Sequence, residues 1–116
     1  IELHSLQFGD DAEQMIPWRD RLGVYEWSGR LKDFSDTAAV LQQLDLVISV
    51  DTAVAHLAGA LGIEVWLMAS RMPDWRWGTH RVRSVWYPTM RIFRQAEIGD
   101  WSDVVEAVCS ELQRRI

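Results

Sequence analysis

The pattern of apolar and polar positions changes in character halfway along the chain, at a short aspartate–threonine pair. Residues 46–50 are rich in β-branched side chains and apolar apart from Ser49, which is typical of a strand covered on both faces of a parallel sheet. Small, helix-compatible residues then run from 53 to 62. Asp51 and Thr52 stand between the two parts, and both are favourable residues at a helix start. The stretch therefore predicts a strand, a tight turn and a helix that ends at Gly62.

Strand-like and helix-like patterns continue to alternate on both sides of this stretch. Further strands are predicted over residues 3–8, 23–27, 63–69 and 90–95, and helices over 12–21, 37–44 and from about 100 onwards. Such alternation indicates a doubly wound fold. We therefore predict an α/β, Rossmann-like domain with an open, mainly parallel sheet of about five strands and helices on both faces. Residues 46–50 are expected to form the central strand, with 63–69 beside it.

The helix starts and the apolar faces can also be predicted from short patterns. Ser35 or Asp36 is the expected cap of the helix before the central strand, and Asp100 with Asp103 resembles a capping pair for the last helix. Pro17 is compatible with the first helix only near its start. The apolar stripe of the last helix is predicted to contain Trp101, Val104, Val105, Val108 and Leu112.

Length and composition place the chain among single globular domains. Its 116 residues suit one domain with its own core, and we expect residues 1–116 to be a segment of a longer protein, because the chain starts at Ile1 directly in a strand pattern. No apolar run reaches about 18 residues, so no membrane span is predicted. One cysteine, Cys109, is compatible with a reducing, cytoplasmic location. The three scattered histidines lack ligand-like spacing, so no metal site is predicted.

Charge and tryptophan are concentrated in the second half of the chain. The net charge of −5 argues against a nucleic-acid surface, yet residues 71–94 carry six arginines and one aspartate. Such a segment indicates either a local anionic ligand or a set of arginines paired within the structure. The same region is irregular from 70 to 89 and contains Trp75, Trp77, Trp86 and Tyr87. We expect these aromatic residues to anchor the loop rather than to stack on a sugar.

The turn after residue 50 is the candidate functional site. In open α/β sheets, ligands bind beyond the carboxyl ends of the strands, where helix N-termini offer unpaired N–H groups to anions. Asp51, Thr52 and His56 all fall at this point. Taken alone, Asp51 could be a simple helix cap and His56 a helix residue bonded to a neighbouring loop. No Gly-x-Gly-x-x-Gly or Walker-type loop follows any strand pattern, which disfavours ordinary dinucleotide-binding and P-loop proteins.

Three segments carry a resemblance to a known family. They are Ser-Val-Asp-Thr-Ala-Val-Ala-His-Leu-Ala-Gly-Ala-Leu-Gly at 49–62, Pro-Asp-Trp-Arg-Trp at 73–77 and Trp-Tyr-Pro-Thr-Met-Arg at 86–91. With them the chain resembles the C-terminal half of heptosyltransferase-like GT-B glycosyltransferases, in the version that follows tetratricopeptide repeats in bacterial proteins. The resemblance extends from about Leu3 to the last helix. It implies a nucleoside-diphosphate sugar as ligand, no cofactor, and two partners in the same longer chain, an N-terminal domain and tetratricopeptide repeats.

The resemblance also implies which residues hold the donor. The family's Asp-Thr/Ser-Gly-x-x-His pattern, which contacts donor phosphate and sugar, falls on Asp51, Thr52, Ala53 and His56. Gln7 is a further donor-binding candidate, and two possible anion contacts are Arg76 and Arg91. Catalytic residues are not identified. A helix N-terminus and a hydroxyl can hold a diphosphate without a metal, in agreement with this assignment.

The chain departs from the family pattern at two positions. Ala53 stands where glycine is usual, and Phe8 stands in Ser-Leu-Gln-Phe-Gly where the family commonly has lysine. Loss of a charge-assisted phosphate contact costs on the order of 1.5–3 kcal/mol. The residues at 51, 52 and 56 favour the donor-binding half of a glycosyltransferase, whereas Phe8 favours a non-catalytic interaction module beside the repeats. A sugar-nucleotide epimerase, which shares the fold, is a third and weaker alternative.

Overall fold

The computed structural model describes residues 1–7, 9–72, 75–78 and 80–116. Within them the chain is an α/β protein with two small sheets, in which all paired strands run parallel. This confirms the predicted α/β class and is consistent with a Rossmann-like, mainly parallel fold. Residues 1–39 form one compact unit and residues 40–116 another. The expectations for Phe8 and for the Pro-Asp pair at 73–74 lie outside the described residues.

The N-terminal unit contains a two-stranded parallel sheet. Strand β1 (Leu3–Ser5) pairs with β2 (Val24–Glu26), and a 3-10 helix (Gly9–Met15) and helix α1 (Ile16–Leu22) connect them. Pro17 lies in the first turn of α1, where a missing N–H leaves no helical hydrogen bond unmade. Gly23, with φ of 63°, ends the helix in the left-handed conformation that glycine adopts easily.

Helix α2 (Phe34–Leu41) starts earlier than predicted, and its cap is a different residue. Asp33 Oδ1 accepts a hydrogen bond from the backbone N–H of Asp36 at 2.9 Å. The carboxylate of Asp36 instead accepts from the N–H of Lys32 at 3.0 Å. The expectation that Ser35 or Asp36 caps this helix is therefore wrong. The cause is local competition, because several consecutive residues can cap a helix and the backbone start decides between them.

The C-terminal unit contains a three-stranded parallel sheet in the order β3-β4-β5. Its strands are β3 (Val47–Val50), β4 (Val65–Ala69) and β5 (Met90–Arg94); helix α3 (Ala53–Ala60) connects the first two, and helix α4 (Ser102–Arg115) follows the last. The middle strand of this sheet is β4, whereas the sequence predicted β3 to be central. A β-branched, apolar run shows that a strand is favoured, but it does not show how many neighbours the strand has.

Helix α4 covers one face of this sheet through a narrower stripe than predicted. Val104 and Val108 are buried against Trp66 and Phe93, whose ring centroids lie 5.5 Å apart, and Leu112 packs partly against the same cluster. Trp101 and Val105 of the predicted stripe are exposed. Trp101 is the N-cap residue and precedes the first turn of α4, and Val105 follows Val104 by one residue, about 100° further round the helix and at the edge of the stripe. The predicted Asp100–Asp103 capping pair is also wrong, because the N-cap residue is Trp101 and has no side-chain cap hydrogen bond. Asp100, which precedes it, accepts through Oδ1 from the N–H of Ser102 at 2.9 Å.

Backbone and side-chain hydrogen bonds connect the irregular segment before β5 to that strand. An antiparallel bridge joins Arg83 to Arg91, and the N–H of Ile92 donates to the carbonyl of Val82 at 2.8 Å. The guanidinium of Arg94 donates to three carbonyl groups, those of Trp77, Gly78 and Arg81. Burial lowers the pKa of Arg94. These bonds hold the described residues 75–78 and 80–87, which we call the aromatic loop, against β5. None of the helices in the described residues is long and apolar enough to cross a membrane.

Candidate functional site at the start of helix α3

The turn between β3 and α3 lies at the carboxyl end of a parallel strand and contains Asp51 and Thr52. Thr52 is the N-cap residue, with an extended backbone, but its side chain does not cap the helix. Ser49 Oγ lies 3.0 Å from Thr52 Oγ1 and donates its own proton to the Val50 carbonyl at 2.8 Å. Thr52 is therefore the donor of the pair. The first N–H groups of α3 donate no hydrogen bond to the Thr52 side chain. In general, such N–H groups at a helix start have no partner within the helix and are open to an anion.

His56 follows Thr52 by one turn of helix α3, and its side chain faces the connection between β3 and α3. Its Nε2 lies 3.3 Å from Asp51 Oδ1, and its Nδ1 lies 3.0 Å from the hydroxyl oxygen of Tyr87. The His56 and Asp51 side chains are 31% and 42% exposed, so both remain accessible to a ligand. The structure thus brings a carboxylate, a hydroxyl and an imidazole together at one helix N-terminus. Ala53 begins the same helix and is exposed there.

Two aromatic rings from the loop flank the imidazole. The ring of Trp77 lies 5.1 Å from that of His56 at an angle of 32°, and Tyr87 contacts His56 edge-on at 5.8 Å. Trp77 is 1% exposed, and its indole N–H has no hydrogen-bond partner in the described part of the chain. The expectation that the tryptophans anchor this loop is confirmed for Trp77. Trp75 and Trp86 differ, because both are exposed and contact each other edge to face at 6.0 Å.

Gly59 provides the space in which Tyr87 lies against α3. A Cβ atom on Gly59 would stand 2.6 Å from Tyr87 Cγ and 2.9 Å from Tyr87 Cδ2. Such distances are too short for carbon–carbon contacts, whose optimum is about 3.5–4.0 Å. The absence of a side chain at Gly59 therefore lets the tyrosine ring approach the helix and reach His56. The sequence did not indicate this, because residues 31 positions apart in the chain form the hydrogen bond.

The other candidate residues belong to other elements of the chain. Gln7 follows β1 in the N-terminal unit and is exposed. Arg76 lies in the short 3-10 helix Trp75–Trp77, with its guanidinium carbon 5.1 Å from the centre of the Trp75 ring. The structure therefore groups four of the candidates, which are Asp51, Thr52, Ala53 and His56. Arg76 belongs to the exposed part of the aromatic loop.

Arg91 lies near the amino end of β5, opposite Trp66, whereas the turn at Asp51 follows the carboxyl end of β3. Its guanidinium donates to Glu111 Oε2 at 2.9 Å and lies 4.6 Å from the centre of the Phe93 ring. The hydrogen bond from Arg91 lowers the pKa of Glu111, with a smaller contribution from the charge of Arg114. Arg91 also lines a cavity of about 510 Å³, together with Glu64, Trp66, Arg83, Glu111 and Arg115. Arg91 is thus engaged in an ion pair, away from the turn at Asp51.

Residues that could bind a metal ion do not converge in the described ranges. Among residues 1–7, 9–72, 75–78 and 80–116, no group of three or more His, Cys, Asp or Glu side chains has the arrangement for a metal ion. The candidate site instead contains hydrogen-bond donors and one carboxylate. Backbone N–H groups, a threonine hydroxyl and an imidazole N–H suit an anionic oxygen, and the Asp51 carboxylate suits a hydroxyl group of a ligand.

Comparison with known proteins relates part of the chain to a family of glycosyltransferases. The family model of glycosyltransferase family 9 (heptosyltransferase) matches residues 25–66, from β2 to the start of β4, and this range contains the turn and His56. The match supports a relationship to heptosyltransferase-like glycosyltransferases. The chain is also 33% identical over 113 residues to FlbA of Caulobacter vibrioides. That alignment covers 94% of this chain and 19% of FlbA, so the chain spans about a fifth of this relative. No solved structure matches this chain significantly.

Proposed function

We propose that this chain is the nucleotide-sugar-binding half of a metal-independent glycosyltransferase, with the donor diphosphate at the start of α3. One observation carries the proposal. Asp51, Thr52 and His56 converge on a helix N-terminus that Thr52 leaves uncapped, within the range matched by the glycosyltransferase family. Helix N-termini attract anions through unpaired N–H groups and the helix dipole.

The residues of the site differ in what they can offer to such a donor. The first N–H groups of α3, the Thr52 hydroxyl and the imidazole N–H of His56 can donate to phosphate oxygens. Asp51 would repel a phosphate at close range, because an ionised carboxylate only accepts hydrogen bonds. Its role in the proposal is to accept from a hydroxyl group of the sugar or ribose. Gln7 is kept as a donor contact on the basis of the family resemblance.

The proposed reaction also needs groups from outside this chain. Displacement at the anomeric carbon requires an acceptor oxygen in line with that carbon, a base beside this oxygen and stabilisation of the departing diphosphate. The start of α3 supplies part of the third requirement. We assign the acceptor site and the base to an N-terminal domain of a longer protein, and we expect no sugar transfer by the 116-residue chain alone.

A titration of the isotope-labelled chain with UDP, ADP and GDP, followed by NMR, tests the site. We expect dissociation constants of roughly 0.1 mM or poorer, because only one half of the cleft is present. The shift changes should centre on residues 51–56, and the corresponding nucleosides without phosphate should produce much smaller changes. Changes confined to the arginine-rich residues 80–94, with none at 51–56, would exclude the assigned site.

A non-catalytic glycosyltransferase-like module attached to tetratricopeptide repeats is the second candidate. The observation that favours it is Phe8, which stands where the related family commonly has lysine. The two candidates differ in the behaviour of a Phe8→Lys variant of the full-length protein. In an active enzyme this change should raise the transfer rate by strengthening the leaving-group contact, whereas in an inactive module it should leave the rate at background. A lower rate in the variant would show that Phe8 does not occupy the lysine position.

A further inference from the structure

The hydroxyl of Tyr87 contacts a nitrogen of His56, and the surrounding residues hold it there. The ring of Tyr87 fills the space left by Gly59. Its backbone is fixed by the turn from 84 to 90, in which Ser84 Oγ accepts from the N–H of Tyr87 at 3.1 Å and the Tyr87 carbonyl accepts from the N–H of Met90 at 3.0 Å. Ser84 is itself 8% exposed. Tyr87 therefore reaches His56 from a rigid, closely packed position.

The two contacts of the imidazole define which nitrogen carries the proton in the neutral ring. Asp51 Oδ1 lies 3.3 Å from Nε2, and an ionised carboxylate can only accept, so this contact favours a proton on Nε2. The remaining nitrogen, Nδ1, is then an acceptor, and the Tyr87 hydroxyl 3.0 Å away is its donor. With Nδ1 bonded in this way, the ring cannot turn over without losing the Tyr87 hydrogen bond.

We propose that Tyr87 is a positioning residue, which holds His56 through Nδ1 so that the Nε2–H group faces the turn at the start of α3. The inference rests on the proposed function for its consequence, since a donor phosphate at this turn would meet Nε2–H rather than an unprotonated nitrogen. Tyr87 itself is separated from the turn by the imidazole ring and acts through it. Its coupling to His56, however, exists without any ligand and can be tested alone.

The chain contains its own reference for this hydrogen bond. Nδ1 of His4 accepts from the indole N–H of Trp27 at 3.1 Å, and an indole can only donate, so His4 also has a bonded, unprotonated Nδ1. Tyr25 is the other tyrosine of the chain and supplies the matched control. The substitution Tyr25→Phe removes a hydroxyl group at a position far from His56 in the sequence. Two-bond ¹H–¹⁵N spectra of the imidazoles distinguish bonded, unbonded and protonated ring nitrogens.

The experiment compares the wild-type chain, Tyr87→Phe and Tyr25→Phe at a pH where the imidazoles are neutral. In Tyr87→Phe we expect the Nδ1 signal of His56 to move to the position of an unbonded ring nitrogen, while the His4 signals stay unchanged. Tyr25→Phe should leave His56 as in the wild type. An unchanged His56 spectrum in a folded Tyr87→Phe chain overturns the inference, whatever the nucleotide titration shows.

Nucleotide affinity is the second readout. If UDP perturbs residues 51–56 in the wild type, Tyr87→Phe should weaken its binding about three- to tenfold and Tyr25→Phe should not, as expected for one misdirected hydrogen bond. Equal affinities of the wild type and Tyr87→Phe overturn the positioning role. If UDP does not perturb residues 51–56 at all, the proposed function fails, and the His56 spectra still decide whether Tyr87 holds the ring.

Discussion

Gly59 is the position at which a single methyl group should have the largest structural effect. Glycine inside a helix normally destabilises it by about 1 kcal/mol relative to alanine, so Gly59→Ala would be expected to stabilise α3 if packing were ignored. The structure predicts the opposite. The added Cβ would lie 2.6 Å from Tyr87 Cγ, 2.9 Å from Cδ2 and 3.0 Å from Cβ, so the tyrosine must move away from the helix.

The expected magnitude follows from three contributions. Forcing an extra carbon into a packed contact costs typically about 1–3 kcal/mol. Displacing Tyr87 also removes its hydrogen bond to His56, a contribution of about 1 kcal/mol. The gain in helix propensity offsets about 1 kcal/mol of this loss. We therefore expect Gly59→Ala to lower the free energy of unfolding by about 1–3 kcal/mol.

Urea unfolding followed through the amide signals of α3 measures this change for the unit that contains Gly59. Gly29→Ala in the N-terminal unit is the control and is followed through the amide signals of that unit, since a Cβ at Gly29 would meet no atom within 4 Å. Its effect should lie between zero and a gain of about 1 kcal/mol. In a Tyr87→Ala background the obstacle is largely gone, so Gly59→Ala should become neutral or stabilising. Equal or greater stability of the single Gly59→Ala variant, with the His56–Tyr87 bond retained, would refute the packing argument.

Two further predictions concern β5 and its neighbours. Arg94→Lys should destabilise the aromatic loop by about 1–3 kcal/mol, because an ammonium group cannot reach three carbonyls as a guanidinium does. Faster amide exchange at residues 75–78 and 80–84 would show this loss. The control is Arg71→Lys, since Arg71 is exposed. The pKa of Glu111 is lowered in the folded chain, so its carboxylate stabilises the fold above its unfolded pKa, and this contribution is lost as the pH falls through the lower folded value. The urea midpoint of Glu111→Gln should thus lie below that of the wild type at pH 7 and approach it below about pH 4.

The fold was largely predictable from periodicity, while the neighbours of each strand were not. Every described strand falls within a predicted one, since β-branched runs and a period of two favour an extended backbone. Burial was predicted less well, because Ile48 and Val50 of β3 are exposed although the sequence predicted a strand covered on both faces. Strand order depends on pairing between distant segments. Residues 46–50 and 63–69 read equally well as buried strands, and only the register Val47–Val65 and Val65–Met90 shows that β4 lies between the other two.

In the candidate site, too, the residues close together in the sequence were predictable and those distant in the sequence were not. Asp51, Thr52 and His56 could be grouped from the sequence, because Asp51 and Thr52 are neighbours and His56 follows Thr52 by one turn of the helix. Tyr87 and Trp77 could not be assigned to His56, since a loop and a strand separate them from it along the chain. The signal that was available is the unusual density of aromatic residues between 75 and 87. It indicated that the loop packs on the domain, but it did not say against which residue.

The arginines of β5 show why the sequence overestimated the positive charge at the site. Arg91 and Arg94 are three positions apart, so their side chains leave opposite faces of the strand. One is bonded to Glu111 and the other to the carbonyls of the aromatic loop. A diphosphate at the start of α3 would therefore meet mainly dipolar donors. A helix N-terminus contributes typically about 0.3–1 kcal/mol, compared with about 1.5–3 kcal/mol for a hydrogen bond to a charged group. This difference is a second physical reason, beside the missing half of the cleft, why we expect weak nucleotide binding by this chain.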